Sequence, residues 1–204
     1  MQTEQKRAAE SAESSGKEQK HMNIAVYCGT SFGNNTAYRE GARELGLWIA
    51  RNNHTLVFGG GNIGLMGVLA EAVFQNGGHV IGVLPGDIGF IVNRPQPFCS
   101  EILTEPDMAA RKRKMLELSD AYIALPGGIG TLDEITEAMT LIKIGYMHKP
   151  AVLFNINGYY DPFRNMLDRT VSCGFMEKKD IQSFLFSDSL DEISDFIHTF
   201  PTDK

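Results

Sequence analysis

The stretch Ala121-Tyr-Ile-Ala-Leu-Pro-Gly-Gly-Ile-Gly-Thr-Leu-Asp-Glu134 constrains the fold more than any other part of the chain. Ala121 to Leu125 is an unbroken apolar run, which predicts a strand buried on both faces, and Pro126 ends its hydrogen-bond ladder. Gly127, Gly128 and Gly130 then clear side chains from the turn. Behind them Thr131 has the chemistry of an N-cap and Glu134 stands at capping-box spacing, while Ile135, Ala138 and Met139 recur at helical intervals. A strand, a glycine turn and a helix start belong at the carboxyl ends of the strands of an open parallel sheet. There, free N–H groups and the helix dipole attract an anion, so the expected ligand carries a phosphate. A purely architectural alternative has Glu134 doing no more than closing the capping box. No Lys follows the last glycine and no Ser stands between the first two, which excludes the P-loop and the nucleophile elbow.

The same grammar runs through the rest of the chain. Asn23 to Cys28 reads as a strand and leads into Gly29, Thr30 and Ser31; Asn34 or Asn35 can cap a helix on Tyr38, Ala42, Leu45 and Ile49. Thr55 to Phe58 is a second strand that runs into Gly59, Gly60 and Gly61, with a helix from Ile63 to Phe74. Gly59, Gly61 and Gly64 spell the dinucleotide fingerprint, yet no acid follows Gly78 to Pro85 until Asp87, so a mononucleotide phosphate against Gly60 to Gly64 is the better reading. Pro85 to Phe98 reads as an irregular loop and Ser100 to Thr104 as a short strand. Asp107 caps a helix through Ser119 that carries the basic run Arg111, Lys112, Arg113 and Lys114. Lys149 to Phe154 is a strand, Asn155 to Pro162 a turn, Phe163 to Cys173 a helix, Phe184 to Phe186 a strand and Ser189 to Phe200 a helix. This alternation predicts a doubly wound, mostly parallel α/β sheet of Rossmann-like type, as a single domain over 22–204 with right-handed crossovers.

Composition narrows the function classes. With 204 residues and 43% hydrophobic content the chain can bury one good core. A net charge of −6 argues against a general affinity for nucleic acid or anionic membrane. No apolar run is long enough to span a bilayer and no secretory leader is recognisable, so a cytoplasmic protein is expected. Cys28, Cys99 and Cys173 are widely spaced and lack His at ligand spacing, which suits reduced thiols and gives no metal site. Met1 to His21 is polar and has no aromatic residue; it is expected to be a mobile tail or frayed helix, and His21-Met22 has the look of a cloning junction.

Pro126 to Glu134 resembles the Pro-Gly-Gly-x-Gly-Thr-x-x-Glu signature of the "Lonely guy" (LOG) family, the cytokinin-activating phosphoribohydrolases long mislabelled lysine decarboxylases. Gly59 to Gly67 matches a second family segment, and Asp107 to Lys112 a third, whose pattern is Met-His-x-Arg-Lys. The resemblance runs from about Met22 to Phe196, and Ala109 stands where the family has His. It implies hydrolysis of a nucleoside 5′-monophosphate, AMP or an N6-modified AMP, to free base and ribose 5-phosphate. It also implies a homodimer, for which the apolar Ile135, Met139, Ile142, Ile144 and Met147 around one helix offer a motive. Glu134 is the expected catalytic carboxylate for an oxocarbenium-like state, with Asp133 beside it, and Arg111 the cation that fixes phosphate or ribose. The expected substrate-binding set is Lys112, Gly127, Gly128, Ile129, Gly130, Thr131, Leu132, Asp133 and Thr140, with Gly59, Gly60, Gly61, Gly64 and Met66, and with Gly29 and Ser31. Asp87 and Arg94 lie where the family carries an acid and a base, but without a clean match. No cofactor is required. The alternative is a non-catalytic nucleotide carrier or sensor using the same cradle; lysine decarboxylation lacks a residue that marks a pyridoxal phosphate lysine.

Overall fold

The computed structural model describes residues 20–87 and 96–201, so most of the polar tail and Arg94 lie outside the described residues. Seven strands form one parallel sheet: β1 (Asn23–Tyr27), β2 (Thr55–Phe58), β3 (His79–Pro85), β4 (Glu101–Glu105), β5 (Ala121–Ala124), β6 (Ala151–Phe154) and β7 (Phe184–Ser187). Their spatial order is β4-β3-β2-β1-β5-β6-β7. The chain thus winds outward from β1 to one edge, returns to β5 on the other side, and winds to the opposite edge. The reversal between β1 and β5 is the topological switch point, where open sheets of this kind leave a crevice.

Alternate residues of the inner strands feed two cores, while the edge strand β4 is largely exposed. Ile24 and Val26 of β1 face one cluster, built with Leu45 and Ile49 of α1 (Thr36–Arg51), Leu65 and Leu69 of α2 (Gly64–Gln75), and Ile193 and Ile197 at the carboxyl end. Ala25 and Tyr27 face the other, with Met115 of α3 (Met108–Leu118), Ile135 and Met139 of α4 (Ile129–Lys143) and Leu167 of α5 (Asp161–Ser172). Burial on both faces is why the strands read as continuous apolar runs. Asn35 caps α1 and Asp107 caps α3 through their side chains, as their residue types predict. A short α6 (Lys178–Gln182) precedes β7, and α7 (Leu190–Thr199) closes the chain.

The start of α4 departs from expectation. Gly128, not Thr131, is the N-cap residue, no side chain caps the helix, and Thr131 is buried inside the first turn. Gly127 is the cause: any Cβ there would overlap the hydroxyl of Thr131. The missing side chain lets the helix begin earlier, so Glu134 closes no capping box and its carboxylate goes elsewhere.

Candidate active site

The turn after β5 has its carbonyls turned away and tied down. The Tyr160 hydroxyl donates to Leu125 O at 2.7 Å, Gly29 N–H to Pro126 O at 3.1 Å, the Tyr159 hydroxyl to Gly127 O, and Leu132 N–H to Gly128 O at 3.1 Å. With the oxygens engaged and the amides that open α4 uncapped, donors alone are left for a ligand. Beside this turn lies a cavity of about 230 Å³ lined by Gly29, Ser31, Tyr38, Leu65, Gly127 and Tyr159, among others. It sits at the switch point between β1 and β5.

The turn after β2 packs against the turn after β1. The Leu65 N–H donates to Gly29 O at 3.1 Å, and Gly64, at φ +59°, lies so close that a Cβ would overlap the backbone of Thr30 and Ser31. Gly60, at φ +71°, crosses over Leu84. Met66 covers Gly59 and Gly61, with its Cε 2.9 Å from where a Cβ of either would be.

Under Gly59 lies the guanidinium of Arg111, only 7% exposed. Its Nε donates to Val83 O at 3.2 Å and its Nη1 to the Glu134 carboxylate. Arg111 and Glu134 stand 23 residues apart and come from α3 and α4. Burial pushes the Glu134 carboxyl above the usual range, and the adjacent Arg111 charge partly offsets this. The Arg111–Glu134 pair also lies near the buried Tyr27 hydroxyl, whose pKa is raised by burial first and by Glu134 second. One residue on, Lys112 Nζ bridges Asp133 at 2.9 Å and Glu137 at 3.0 Å; the hydrogen bond to Asp133 leads in holding its pKa up.

Most candidate residues thus converge: Gly29 and Ser31, Gly59 to Gly64 with Met66, and Gly127 to Asp133 with Glu134, Arg111 and Lys112. Ile129 projects outward, 84% exposed, and Leu132 packs toward the second core. Thr140 does not join them. It lies far along α4, exposed, with its hydroxyl donating to Thr136 O at 2.7 Å. Tyr159 and Tyr160 were not among the expected residues; two adjacent aromatics in a polar turn at a strand end were the available signal.

Residues 66–197 match the family model described as "Possible lysine decarboxylase". Cytokinin riboside 5′-monophosphate phosphoribohydrolase LOG1 of Arabidopsis thaliana is 43% identical over 163 residues, which is 78% of this chain and 74% of that protein. The chain belongs to the LOG family. A second LOG relative, the probable cytokinin riboside 5′-monophosphate phosphoribohydrolase LOGL3 of Oryza sativa subsp. japonica, is 37% identical over 190 residues, covering 90% of this chain and 87% of its own length. The fold is shared more widely than the LOG family name: the molybdenum cofactor binding protein from the bacterium Rippkaea orientalis superposes with a TM-score of 0.66 at 21% identity, covering 87% of this chain and 96% of that one.

Proposed function

We propose that the chain hydrolyses the N-glycosidic bond of a nucleoside 5′-monophosphate, AMP or an N6-modified AMP such as a cytokinin riboside monophosphate, to free base and ribose 5-phosphate. The observation that carries the reading is a buried, arginine-paired carboxylate placed along the same helix whose uncapped amides form the anion cradle. At ~1.5 Å rise per residue, Glu134 lies about 7.5 Å along the axis from Ile129, and its side chain leans back toward the helix start. That separation suits a ribose 5-phosphate, with its phosphate on the amides and its anomeric carbon near the carboxylate.

In this reading the ionised Glu134 stabilises the positive charge that grows on the ribose as the bond to the base breaks. It also accepts a proton from the water that forms the new bond to the anomeric carbon and later returns that proton to solvent, while the departing base takes up one proton from solvent, so that one water is divided between the ribose hydroxyl and the free base. A carboxyl pKa raised toward neutrality improves it as a base. Arg111 has two of its donor groups on Glu134 and Val83 O, so its role is to hold the carboxylate ionised and aimed rather than to fork onto the nucleotide. Asp133, Lys112 and Glu137 brace α3 against α4 behind the pair. Imine chemistry on Lys112 is disfavoured because its two acidic partners keep it protonated.

Incubation with AMP and chromatography for free adenine tests the reading. Release of adenine and ribose 5-phosphate is expected; tight AMP binding without adenine release would establish the carrier alternative, to which no observation here points. We also propose a homodimer in the cytoplasm, where the free thiols of Cys28, Cys99 and Cys173 stay reduced. Ile135 and Met139 are in the core, so of the apolar residues expected at the interface Ile144, 66% exposed, is the one left open, with Tyr146, 76% exposed, beside it just beyond α4. Light scattering at micromolar concentration should give twice the chain mass.

A further inference from the structure

A trans peptide points its C=O and N–H in opposite directions, so fixing one oxygen aims the next residue's amide. Gly29 N–H holds Pro126 O and so sets the amide of Gly127; the Tyr159 hydroxyl holds Gly127 O and so sets the amide of Gly128. The first tie is backbone to backbone and would survive most substitutions. The second depends on one side chain. Between two glycines a peptide plane has little preference of its own, since neither residue has a Cβ to forbid the flipped arrangement.

Tyr159 is brought to this point by a locked turn after β6. Asn155 accepts the Tyr160 N–H at 2.7 Å and donates to Asp161 at 2.8 Å, while Asn157 takes the left-handed φ of 52°. The two tyrosine rings leave the turn at 88° to one another. Tyr160 goes into the core, 1% exposed, and Tyr159 stays at the cleft, 37% exposed, with its ring edge-on to Tyr38 at 5.6 Å. Both Tyr38 and Tyr159 line the 230 Å³ cavity.

We infer that Tyr159 is a positioning residue for the phosphate subsite: its hydroxyl fixes the Gly127–Gly128 peptide so that the Gly128 amide faces the phosphate of the bound nucleotide, and its ring, backed by Tyr38, walls that subsite. This rests on the nucleotide reading above, but its test needs no turnover. Ribose 5-phosphate is titrated by calorimetry into the wild-type protein, into Tyr159→Phe, which keeps the ring and its contact with Tyr38, and into Phe175→Leu as a control on an exposed aromatic to which no role is assigned. The dissociation constant should rise roughly tenfold for Tyr159→Phe, as for loss of one aimed hydrogen bond to a charged group, and stay within twofold for the control. KM for AMP should rise by the same factor with kcat within twofold, and inhibition by adenosine, which lacks the phosphate, should not change. Equal ribose 5-phosphate affinity in Tyr159→Phe and wild type would overturn the inference, as would a fall in kcat at unchanged KM or an equal weakening of adenosine. So would wild-type protein that fails to bind ribose 5-phosphate at millimolar concentration. Absence of adenine release by wild type would instead strike the hydrolase reading and leave the calorimetric comparison to decide this one.

Discussion

Two glycine turns end neighbouring parts of the same sheet, and they use glycine for opposite purposes. After β2, Gly59, Gly60, Gly61 and Gly64 each face protein atoms where a side chain would be: the Arg111 guanidinium, Leu84, Met66, and the Thr30 to Ser31 backbone. After β5, Gly128 and Gly130 face nothing within 4 Å. The first turn uses the missing Cβ atoms to pack the chain against itself; the second does so only at Gly127, against Thr131, and leaves Gly128 and Gly130 as open surface beside uncapped amides. A fingerprint of glycines therefore does not say where a ligand lies; what fills the absent side chain's place does.

Substitutions put that contrast to its hardest test. Gly64→Ala must accept both a left-handed φ and a clash with backbone that cannot swing aside, and should lose about 3 kcal/mol of stability, read as a lower urea midpoint. Gly130→Ala, in open space within the first turn of α4, should be neutral or gain up to ~1 kcal/mol, with any loss confined to ribose 5-phosphate affinity. Comparable destabilisation of both variants would erase the distinction.

Glu134→Gln sharpens the functional side. It keeps the size of the side chain and removes its charge, so kcat for adenine release should fall by roughly 10²-fold or more with KM nearly unchanged. A near-wild-type rate would show that the open turn binds without Glu134 acting as the base. Ligands come next in size. At ten times its Kd, AMP should stabilise the protein by about 1.4 kcal/mol in a thermal melt, whereas NAD at the same concentration should do much less. The glycines of the first turn face protein atoms where their side chains would be, and β3 carries no acid at the end that would meet a second ribose. Equal shifts would return the dinucleotide reading to the first turn. The subtlest effect is on pH. Because the Glu134 carboxyl titrates above the ordinary value near 4.3, its basic form is lost earlier as pH falls, and the acid limb of kcat/KM should lie above the usual carboxylate range. Glu134→Asp, shorter and set back from Arg111, should move that limb if the carboxylate is responsible; an unmoved limb would assign it to another group.

The strands were legible because parallel strands buried on both faces cannot hide their composition, as β2 and β5 show. The helix starts at Asn35 and Asp107 were legible for the same local reason, a side chain that bonds its own backbone. The start of α4 was not, because its rule depends on a contact between Gly127 and Thr131 that only the folded turn reveals. Nor was α6, a single turn closed by a capping box between Glu177 and Asp180. The pairing of Arg111 with Glu134 across 23 residues was not legible at all: family resemblance put both at the site, but their mutual hydrogen bond is a product of how α3 and α4 pack. Tyr159 acts through a backbone oxygen 32 residues away, and the adjacent aromatics Tyr159 and Tyr160, though visible in the sequence, give no sign of that partner.

The central position of β1 also bears on the time course of folding. Its left-hand neighbour is β2, but its right-hand neighbour is β5, and the tie between Asn23 N–H and the Asp120 carboxylate closes a separation of 97 residues. Closing so long a loop is costly in chain entropy and is repaid only when the apolar faces of both strands meet, which makes it a slow event in an all-parallel sheet. A chain stalled before it can hold β1 to β4 with their helices and a finished Gly59 to Gly64 turn, yet have no crevice, since the turn after β5 has nothing to lie against. The capacity to take up a phosphate therefore depends on this long-range pairing, and in a refolding experiment ligand-dependent protection should lag behind the recovery of secondary structure.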